Sequence, residues 1–427
     1  MATRAVYLVL YRSLDDSRLD HLADYMNRIQ ALAPGAPMVL VGTHAGESMA
    51  ERGGSIFRPR RPPASLASAF PSLYREPLFV SSKTGSGIEQ LKEVVLQLAL
   101  KLDGVGDLLP ESFVKLRRAV QAEQERFPPG TEPVVALSQF QQLAARVGVT
   151  DPSLLQAFTL LLTDFGDVLH FEHVPGLEDA MVLRPQWLAD VMSNVITVNG
   201  AKLRVMMKPE DDPAGCNDLG RVAKSGLLQL LAEASPKHAE GLLALLENFS
   251  MMHSIDKNTA LVPPLLPDMS AARSMQIIFE AAAQSTNVLG WRCWAADYEY
   301  SYVPDALLCR LLCRVFALPD LEVLEAWRFG AVMRRNGHLV MIAEIRGVDR
   351  KRVRVWVFGP KPENLGCLVS TKLRDLLAEA FPGVKLEDIS YGCPHCILSH
   401  QKQQPGVFKA KVLQKKAAKR EEVKRHV

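Results

Sequence analysis

The sequence predicts an α/β domain followed by an α+β region. Over the first 100 residues, short apolar runs alternate with stretches of helical periodicity. Helices predominate in the middle of the chain, and strands joined by tight turns predominate towards its end. Strands that alternate with helices form a parallel, doubly wound sheet, because parallel strands need crossover connections. We therefore expect such a sheet first and a separate mixed region after it.

The composition is that of a soluble protein of two or three domains. The chain has 427 residues, of which 48% are hydrophobic and 23% are charged. Its seven cysteines are odd in number and scattered, which favours reduced thiols and a cytoplasmic location. No apolar run approaches the roughly 20 residues that span a bilayer, and residues 5–11 are too short for a signal peptide. Secreted, membrane-spanning and disordered proteins are excluded.

The net charge of +3 is unevenly distributed. Residues 401–427 contain nine Lys/Arg and two Asp/Glu, a balance of +7, so the first 400 residues carry −4. A mildly acidic body is not typical of a nucleic-acid-binding protein. The basic tail is either a solvated end or a contact for acidic lipid or an acidic partner, which includes peripheral contact with a membrane.

In the first region, apolar runs predict three buried strands at residues 6–10, 38–41 and 78–80. Helical spacing predicts a helix over residues 19–32 and another over 88–98. Pro34-Gly35 ends the first helix. Residues 52–63 have the composition of a loop.

The middle of the chain is predicted to be helical with a small wing. One helix follows Pro110, a second has Ser138 as its N-cap and ends at Gly148, and a third covers residues 154–162. Short strands at 168–171 and 181–183 precede a helix that opens at Pro185. Helices followed by a two-stranded wing resemble a winged helix, yet the candidate recognition helix has no basic residue. Protein–protein contact is therefore favoured over nucleic-acid binding.

The last region is predicted to be rich in strands. Its predicted strands are residues 276–279, 327–333, 339–345 and 352–358, with a hairpin turn at Asn336-Gly337. Its predicted helices are residues 305–316 and 371–380.

Two short motifs follow the second and third predicted strands. Thr43-His44 ends the first of these strands, and Ser81-Ser82-Lys83 ends the other. Open α/β sheets bind ligands at the carboxyl ends of their strands. In small GTPases, an N/T-K/H-x-D motif and an S-A-K motif hold the guanine base at these places. Either motif alone is more often an ordinary turn, but together they predict a guanine-nucleotide site.

The Thr-His form of the first motif resembles the Roc domain of Roco proteins. Further segments resemble COR, the domain that follows Roc: residues 162–171, 182–188, 245–249, 261–263 and 298–304. The resemblance implies a partial Ras-like, P-loop-type Roc domain over residues 1–105. It implies a winged-helix-like first COR lobe over 106–268, a strand-rich α+β second lobe over 269–400 and a basic tail over 401–427.

The nucleotide site departs from the family pattern. The sequence contains no G-x-x-x-x-G-K-S/T loop, and its first strand corresponds to the fourth strand of a Ras-like sheet. Gly46 stands where the family has the carboxylate that recognises guanine. The family binds GTP or GDP with magnesium, whereas we expect this chain alone to hold no cofactor and to have no catalytic residue. Its site is degenerate, and enzymatic activity stays uncertain.

Two other motifs have ordinary structural explanations. Asp164-Phe165-Gly166 is the magnesium-binding tripeptide of kinases, but the other kinase motifs are missing, so we expect Gly166 to end a helix. Some Roco proteins carry a kinase domain after COR. Cys393 and Cys396, with His400, have half the spacing of a zinc site and more often form a turn with buried thiols.

The resemblance implies a signalling scaffold that forms a homodimer through its second COR lobe and binds other signalling proteins. Alternatively, this chain is part of an active GTP-hydrolysing Roco protein whose phosphate-binding half lies outside this sequence. A nucleic-acid-binding winged helix is a third, less favoured function.

Overall fold

The computed structural model describes residues 4–13, 21–45, 61–197, 221–268, 276, 292–346, 351–394, 397, 406–410 and 412–413. The chain divides into two compact units, residues 1–108 with 377–385 and residues 109–376 with 386–427. Within the described ranges, no helix is both long and apolar enough to cross a membrane.

The first unit contains a parallel sheet of three described strands. They lie in the order β1 (Tyr7–Arg12), β2 (Met38–Thr43) and β3 (Leu78–Phe79). The helices between and after them are α1 (Leu22–Leu32), α2 (Ser65–Ala69) and α3 (Ile88–Ala99). Parallel pairing confirms the α/β arrangement that the alternating pattern predicted.

Both faces of β2 are buried. Leu40 packs in one apolar cluster with Met26 of α1, and Val39 and Val41 pack in another with Val94 of α3. Successive side chains of a strand point to opposite faces, so β2 is covered by helices on both sides. This double burial explains why its sequence is a continuous apolar run.

One face of β1 is open. Leu8 and Leu10 are 40% and 62% exposed, whereas Val9 and Tyr11 on the other face are buried. Among the described strands, β1 pairs on one side only, with β2. Within the described residues, β1 therefore leaves an apolar face and a strand edge exposed.

The second unit begins with helices around a small sheet. The helices are α4 (Glu111–Glu125), α5 (Leu137–Arg146), α6 (Pro152–Asp164) and α7 (Pro185–Thr197). The antiparallel strands lie in the order β4 (Val134–Ala136), β6 (Ala180–Val182) and β5 (Leu169–His170). Phe113, Leu116 and Val120 are fully buried, as the spacing of α4 predicts.

The predicted N-cap of α5 is wrong. Ser138 lies inside the first turn, because the helix starts at Leu137. The amide of Ala136 donates to Oε1 of Gln139 at 3.2 Å, and the Leu137 amide donates to the Asp179 carbonyl at 2.8 Å. These bonds satisfy helix-start amides without a serine cap.

The chain continues with elements that the sequence patterns did not predict. They are α8 (Lys224–Ala234), α9 (Ala239–Asn248) and a sheet in the order β7 (Arg221–Ala223), β9 (Thr259–Leu261) and β8 (His253–Ser254). A 3₁₀ turn at Pro263–Leu265 follows.

The rest of the second unit is an antiparallel sheet with seven described strands. In chain order these are β10 (Arg292–Tyr300), β11 (Leu321–Trp327), β12 (Gly330–Arg335), β13 (His338–Arg346), β14 (Lys351–Gly359), β15 (Leu386–Gly392) and β16 (Val407–Lys409). Their spatial order is β11-β12-β13-β14-β10-β15-β16. Helix α10 (Asp305–Phe316) belongs to the same region, and so does α11 (Pro362–Ala380) as far as Leu376.

One predicted strand is a hairpin. Residues 327–333 turn back at Arg328-Phe329, so that Trp327 lies opposite Gly330. A Cβ at Gly330 would lie 2.4 Å from the Trp327 ring and 2.7 Å from the Ile342 carbonyl oxygen, so this approach requires glycine.

Two further predictions differ from the structure, and one is confirmed. Gln276 is helical, so the strand predicted at 276–279 is wrong at its described residue, and 277–279 lie outside the described residues. Helix α11 begins at Pro362, well before predicted residue 371. The turn at Asn336-Gly337 is confirmed, with φ angles of 46° and 75°.

Candidate functional site

The two predicted nucleotide motifs lie at the same end of the parallel sheet. Gly42 of β2 pairs with Phe79 of β3, and the Val80 amide donates to the Gly42 carbonyl at 2.9 Å. Beyond the strands, the Ala45 amide donates to the Val80 carbonyl at 3.1 Å. These bonds hold the loop after β2 beside the loop after β3, as the motif order predicted.

Thr43 directs its hydroxyl towards β1. Its Oγ1 donates to the carbonyl of Tyr11 at 3.1 Å. The Thr43 carbonyl accepts from both the amide and the hydroxyl of Ser13, at 3.1 and 2.7 Å. Ser13 is fully buried. The end of β2 is therefore tied to the end of β1, and the single hydroxyl proton of Thr43 is used inside the fold.

His44 adopts a left-handed backbone with φ of 63°. Its Nδ1 lies 3.0 Å from Oγ1 of Thr43. Because that hydroxyl donates to Tyr11, Nδ1 must be the donor, which leaves Nε2 of a neutral imidazole as an acceptor. A non-glycine residue in this conformation costs about 1 kcal/mol and is found at binding sites more often than elsewhere.

The loop after β3 is a compact turn built on Ser81. Its buried hydroxyl accepts from the Thr84 amide at 3.3 Å, and its amide donates to the Ser86 carbonyl at 2.9 Å. Ser82 and Lys83 are exposed at the tip. The turn thus presents one cation at the sheet edge, while Ser81 is structural.

Helix α3 starts directly from this turn. Gly87 has φ of 75°, and a Cβ there would lie 2.1 Å from the carbonyl oxygen of Phe79. Only glycine allows the helix to begin this close to β3.

Sequence reasoning missed three residues around this site: Tyr11, Ser13 and Arg61. Burial raises the pKa of Tyr11 to about 12, against the lowering effect of the Arg61 charge. The Arg61 guanidinium lies 6.0 Å from the centre of the Phe79 ring. Ser13 is a polar residue just past an apolar strand, which is a usable signal, whereas nothing in the sequence distinguishes Arg61 within its basic loop.

Several predicted residues lie outside the described part of the chain: Gly46, Cys396 and His400. Cys393 is half-buried just after β15, and its amide donates to the Gly406 carbonyl at 2.7 Å. Within the described residues, no three His, Cys, Asp or Glu side chains lie close enough to hold a metal.

Cys309 and Cys313, one helical turn apart on α10, form part of a packed helix face. Both are buried on α10. Burial raises the pKa of Cys309 to about 11 and raises that of Cys313 as well. Thiols held in the protonated form are poor nucleophiles and poor metal ligands.

The kinase-like tripeptide is a helix end. Gly166 has φ of 73° and follows the end of α6 at Asp164. Beyond it, the Arg117 guanidinium donates to the Asp167 carboxylate at 2.7 Å and lies over the Phe165 ring at 4.8 Å. The segment therefore joins α6 to α4.

The candidate recognition helix α6 exposes apolar rather than basic side chains. Leu154 is 37% exposed and Leu160 is 64% exposed. No Lys or Arg occurs in residues 152–164, so α6 offers no charge for a phosphate backbone.

Two family models match this chain. The model described as "C-terminal of Roc, COR-A domain" matches residues 110–266, and "C-terminal of Roc, COR-B domain" matches residues 292–425. Together they cover more than half of the sequence. This chain belongs to the Roco family. The resemblance inferred from the motifs is thereby confirmed.

The Roco relatives are much longer proteins. "Probable serine/threonine-protein kinase pats1" of Dictyostelium discoideum is 23% identical over 80% of this chain and 10% of its own length. "Leucine-rich repeat serine/threonine-protein kinase 1" of Mus musculus is 25% identical over 75% of this chain and 16% of its own length. The chain therefore spans between a tenth and a sixth of these two relatives.

A solved structure, that of Methanosarcina barkeri Roco2 RocCORdC bound to GDP, matches with 19% identity and a TM-score of 0.42. The match covers 62% of this chain and 73% of that one.

Proposed function

We propose that this chain is a Roco signalling scaffold and dimerisation module with a degenerate guanine-nucleotide site. The observation that carries the proposal is the meeting of both base-binding motifs at one sheet edge, in a chain whose remainder matches COR-A and COR-B. In this proposal, residues 1–105 are the Roc part and residues 106–268 and 269–400 are the two COR lobes. Residues 401–427 are the basic tail, which overlaps the COR-B match up to residue 425 and contains β16.

The internal hydrogen bonds of the site support its degeneracy. The hydroxyls of Thr43 and Ser81 bond within the fold, so a ligand meets mainly His44, Ser82 and Lys83. The sequence has Gly46 in place of a carboxylate, and each lost charge-assisted hydrogen bond weakens binding by about 1.5–3 kcal/mol. Two such bonds reduce affinity by more than a hundredfold.

Calorimetry with GDP and magnesium tests this part. We expect no binding at micromolar concentrations for the full chain. Any weak signal from this site should fall in Lys83→Ala and stay unchanged in Lys101→Ala, which removes an exposed cation elsewhere in the same unit. A micromolar dissociation constant for the unmodified chain would contradict the proposal.

The alternative is that the chain is part of an active GTP-hydrolysing Roco protein. The exposed Leu8 and Leu10 on β1 favour it, since a further strand and helix would cover them. Reading the parent gene for a G-x-x-x-x-G-K-S/T segment before residue 1 distinguishes the two proposals. GTP hydrolysis by that longer protein would establish the alternative.

Homodimerisation is proposed for the second COR lobe. The family resemblance, which assigns self-association to the second COR lobe, supports it. Sedimentation over a concentration range should show a dimer, and a monomer at tens of micromolar would contradict it.

The apolar surface of α6 is the proposed contact for other signalling proteins, and its lack of basic residues disfavours the nucleic-acid function.

We also propose a cytoplasmic location, because an odd number of scattered cysteines is typical of proteins whose thiols stay reduced. The tail is proposed to contact acidic lipid or an acidic partner. The exposed Lys409 and the net charge of +7 over residues 401–427 support this second role.

A further inference from the structure

We infer that two copies of this chain pair through the open edge of β1, in antiparallel orientation, so that their parallel sheets join into one. This contact is separate from the dimer proposed for the second COR lobe. It requires neither that dimer nor the nucleotide site, but it does require that no strand of a longer parent protein covers β1.

Strand β1 has the features of a pairing edge. Its six residues pair with β2 without a break in register, and no described strand lies on its other side. Residues 5–11 contain no charged residue, proline or glycine. A regular, uncharged edge strand of this length is a template for pairing with a further strand.

The other described sheet edges are short or interrupted. Apart from β11, each of these edge strands has only two or three residues. Strand β11 is longer, but its register with β12 shifts between Val323 and Glu325, and the Glu322 side chain on it is 61% exposed. Bulges and charged side chains both discourage pairing with another strand. Among the described edges, β1 is therefore the one suited to it.

The backbone of β1 directs hydrogen-bonding groups towards the open edge at its even positions. The Tyr7 amide donates to the Pro37 carbonyl, beside β2, at 2.8 Å. In a parallel pair, every second residue of a strand bonds to the same neighbour. The odd residues of β1 therefore bond towards β2, whereas the amides and carbonyls of Leu8, Leu10 and Arg12 face outwards. An antiparallel partner must pair its own even residues with these.

The side chains at this edge are self-complementary. Antiparallel pairing centred on Val9 places Leu8 opposite the partner's Leu10, and Leu10 opposite the partner's Leu8. Residues two apart on a strand share a face, so all four leucines lie side by side on one face of the joined sheet. Leu8 and Leu10 are 40% and 62% exposed in the single chain. Opposed apolar side chains of this kind stabilise a strand pair.

Charge selects this register. With the pairing centred on Val9, Arg12 lies opposite the partner's Val6. A centre at Leu8 would place Arg12 opposite the partner's Arg4, and like charges directly opposite destabilise a sheet. Moving the centre one residue the other way would set Arg12, instead of a leucine, opposite Leu8. The favoured register is two-fold symmetric, so a second copy of this chain satisfies it with the same residues on both sides.

Amide hydrogen exchange of the full chain, resolved to single residues by mass spectrometry, tests this contact. At tens of micromolar, the outward amides of Leu8 and Arg12 should exchange slowly, and dilution to nanomolar concentrations should remove this protection. Leu10→Lys removes one leucine of the contact in each copy, so both amides should exchange about a hundredfold faster. The amides of Val9 and Tyr11 bond towards β2 and should keep their protection in the variant.

Leu96→Lys is the matched control. Leu96 is 60% exposed on α3, two residues from buried Val94 and hence on the opposite side of that helix. This variant should leave the exchange of β1 unchanged.

Three results would overturn the inference. They are fast exchange of the outward amides at every concentration, protection that persists on dilution because a strand of the same molecule fills the edge, and equal acceleration of all β1 amides in Leu10→Lys. Sedimentation of Leu10→Lys, which lacks the β1 contact, reports the proposed COR dimer by itself. Failure of one contact is therefore distinguishable from failure of the other.

Discussion

Asp297 and Arg354 face each other on neighbouring strands and form a two-bond ion pair. Nε of Arg354 lies 2.8 Å from Oδ1 of Asp297, and Nη2 lies 2.7 Å from Oδ2. The side chains are 12% and 18% exposed, and the guanidinium lies 4.4 Å from the centre of the Trp356 ring. Parallel paired bonds of this kind are strong and directional. The pair therefore fixes β10 against β14 inside the proposed dimerisation lobe.

Asp297→Ala should strongly destabilise that lobe. It leaves a mostly buried guanidinium without its carboxylate, so we expect the free energy of unfolding to fall by about 3 kcal/mol. Urea denaturation measures the change. Glu322→Ala is the control, since its pair with Arg334 is largely exposed and should contribute less than about 1 kcal/mol. Equal losses in both variants would contradict the role of the buried pair.

His253 should make stability depend on pH. Its ring lies 5.9 Å from that of Phe316, and burial lowers its pKa below the usual 6.5. Lys224 adds to this lowering, and the Glu247 carboxylate opposes it. Just below pH 6.5 the unfolded chain binds this proton and the folded chain does not. The free energy of unfolding is therefore unaffected by this group above pH 6.5. It decreases as the pH falls from 6.5 towards the pKa of His253 in the folded protein.

Urea denaturation at pH 7.5 and at pH 5.5 checks this. His253→Gln should lose less stability between these two pH values than the unmodified chain does. His173→Gln should behave like the unmodified chain, because His173 is 87% exposed. An identical pH dependence in all three proteins would show that His253 does not contribute.

Local patterns predicted some elements well and failed where distant contacts decide the structure. Both motifs of the candidate site were found because each is a short segment at a strand end. Ser13 was missed because its bond to Thr43 spans 30 residues. The hairpin at 327–333 was read as one strand because Phe329, inside the turn, is apolar. Strand β10 was missed because buried Asp297 interrupts its apolar pattern, and its partner Arg354 is 57 residues away.

Gly42 should be needed for packing at the candidate site. A Cβ there would lie 2.7 Å from the Phe79 ring and 3.0 Å from the Tyr11 hydroxyl oxygen. Gly42→Ala should therefore cost about 1–3 kcal/mol of stability, through overpacking. Adding Phe79→Leu removes the ring that the new Cβ would contact. The double variant should therefore lose less stability than the sum of the losses in the two single variants. Additive losses would show that the ring does not restrict this position.

Gln124 should hold the proposed first COR lobe together. Its Nε2 donates to the carbonyls of Asp167 and Leu183, at 2.7 and 2.6 Å. Gln124→Glu replaces this donor with a carboxylate that cannot donate, so we expect a loss of about 2–4 kcal/mol in urea denaturation. Gln121→Glu, on the exposed side of the same helix, should change stability little.

The same pair of variants separates stability from dimerisation. The bonds of Gln124 lie within residues 109–183, outside the proposed dimerisation lobe. Sedimentation in buffer without urea should therefore give the same dimer dissociation constant for Gln124→Glu as for Gln121→Glu. A dimer that weakens only in Gln124→Glu would place part of the self-association surface in the first lobe, against the proposed division of roles.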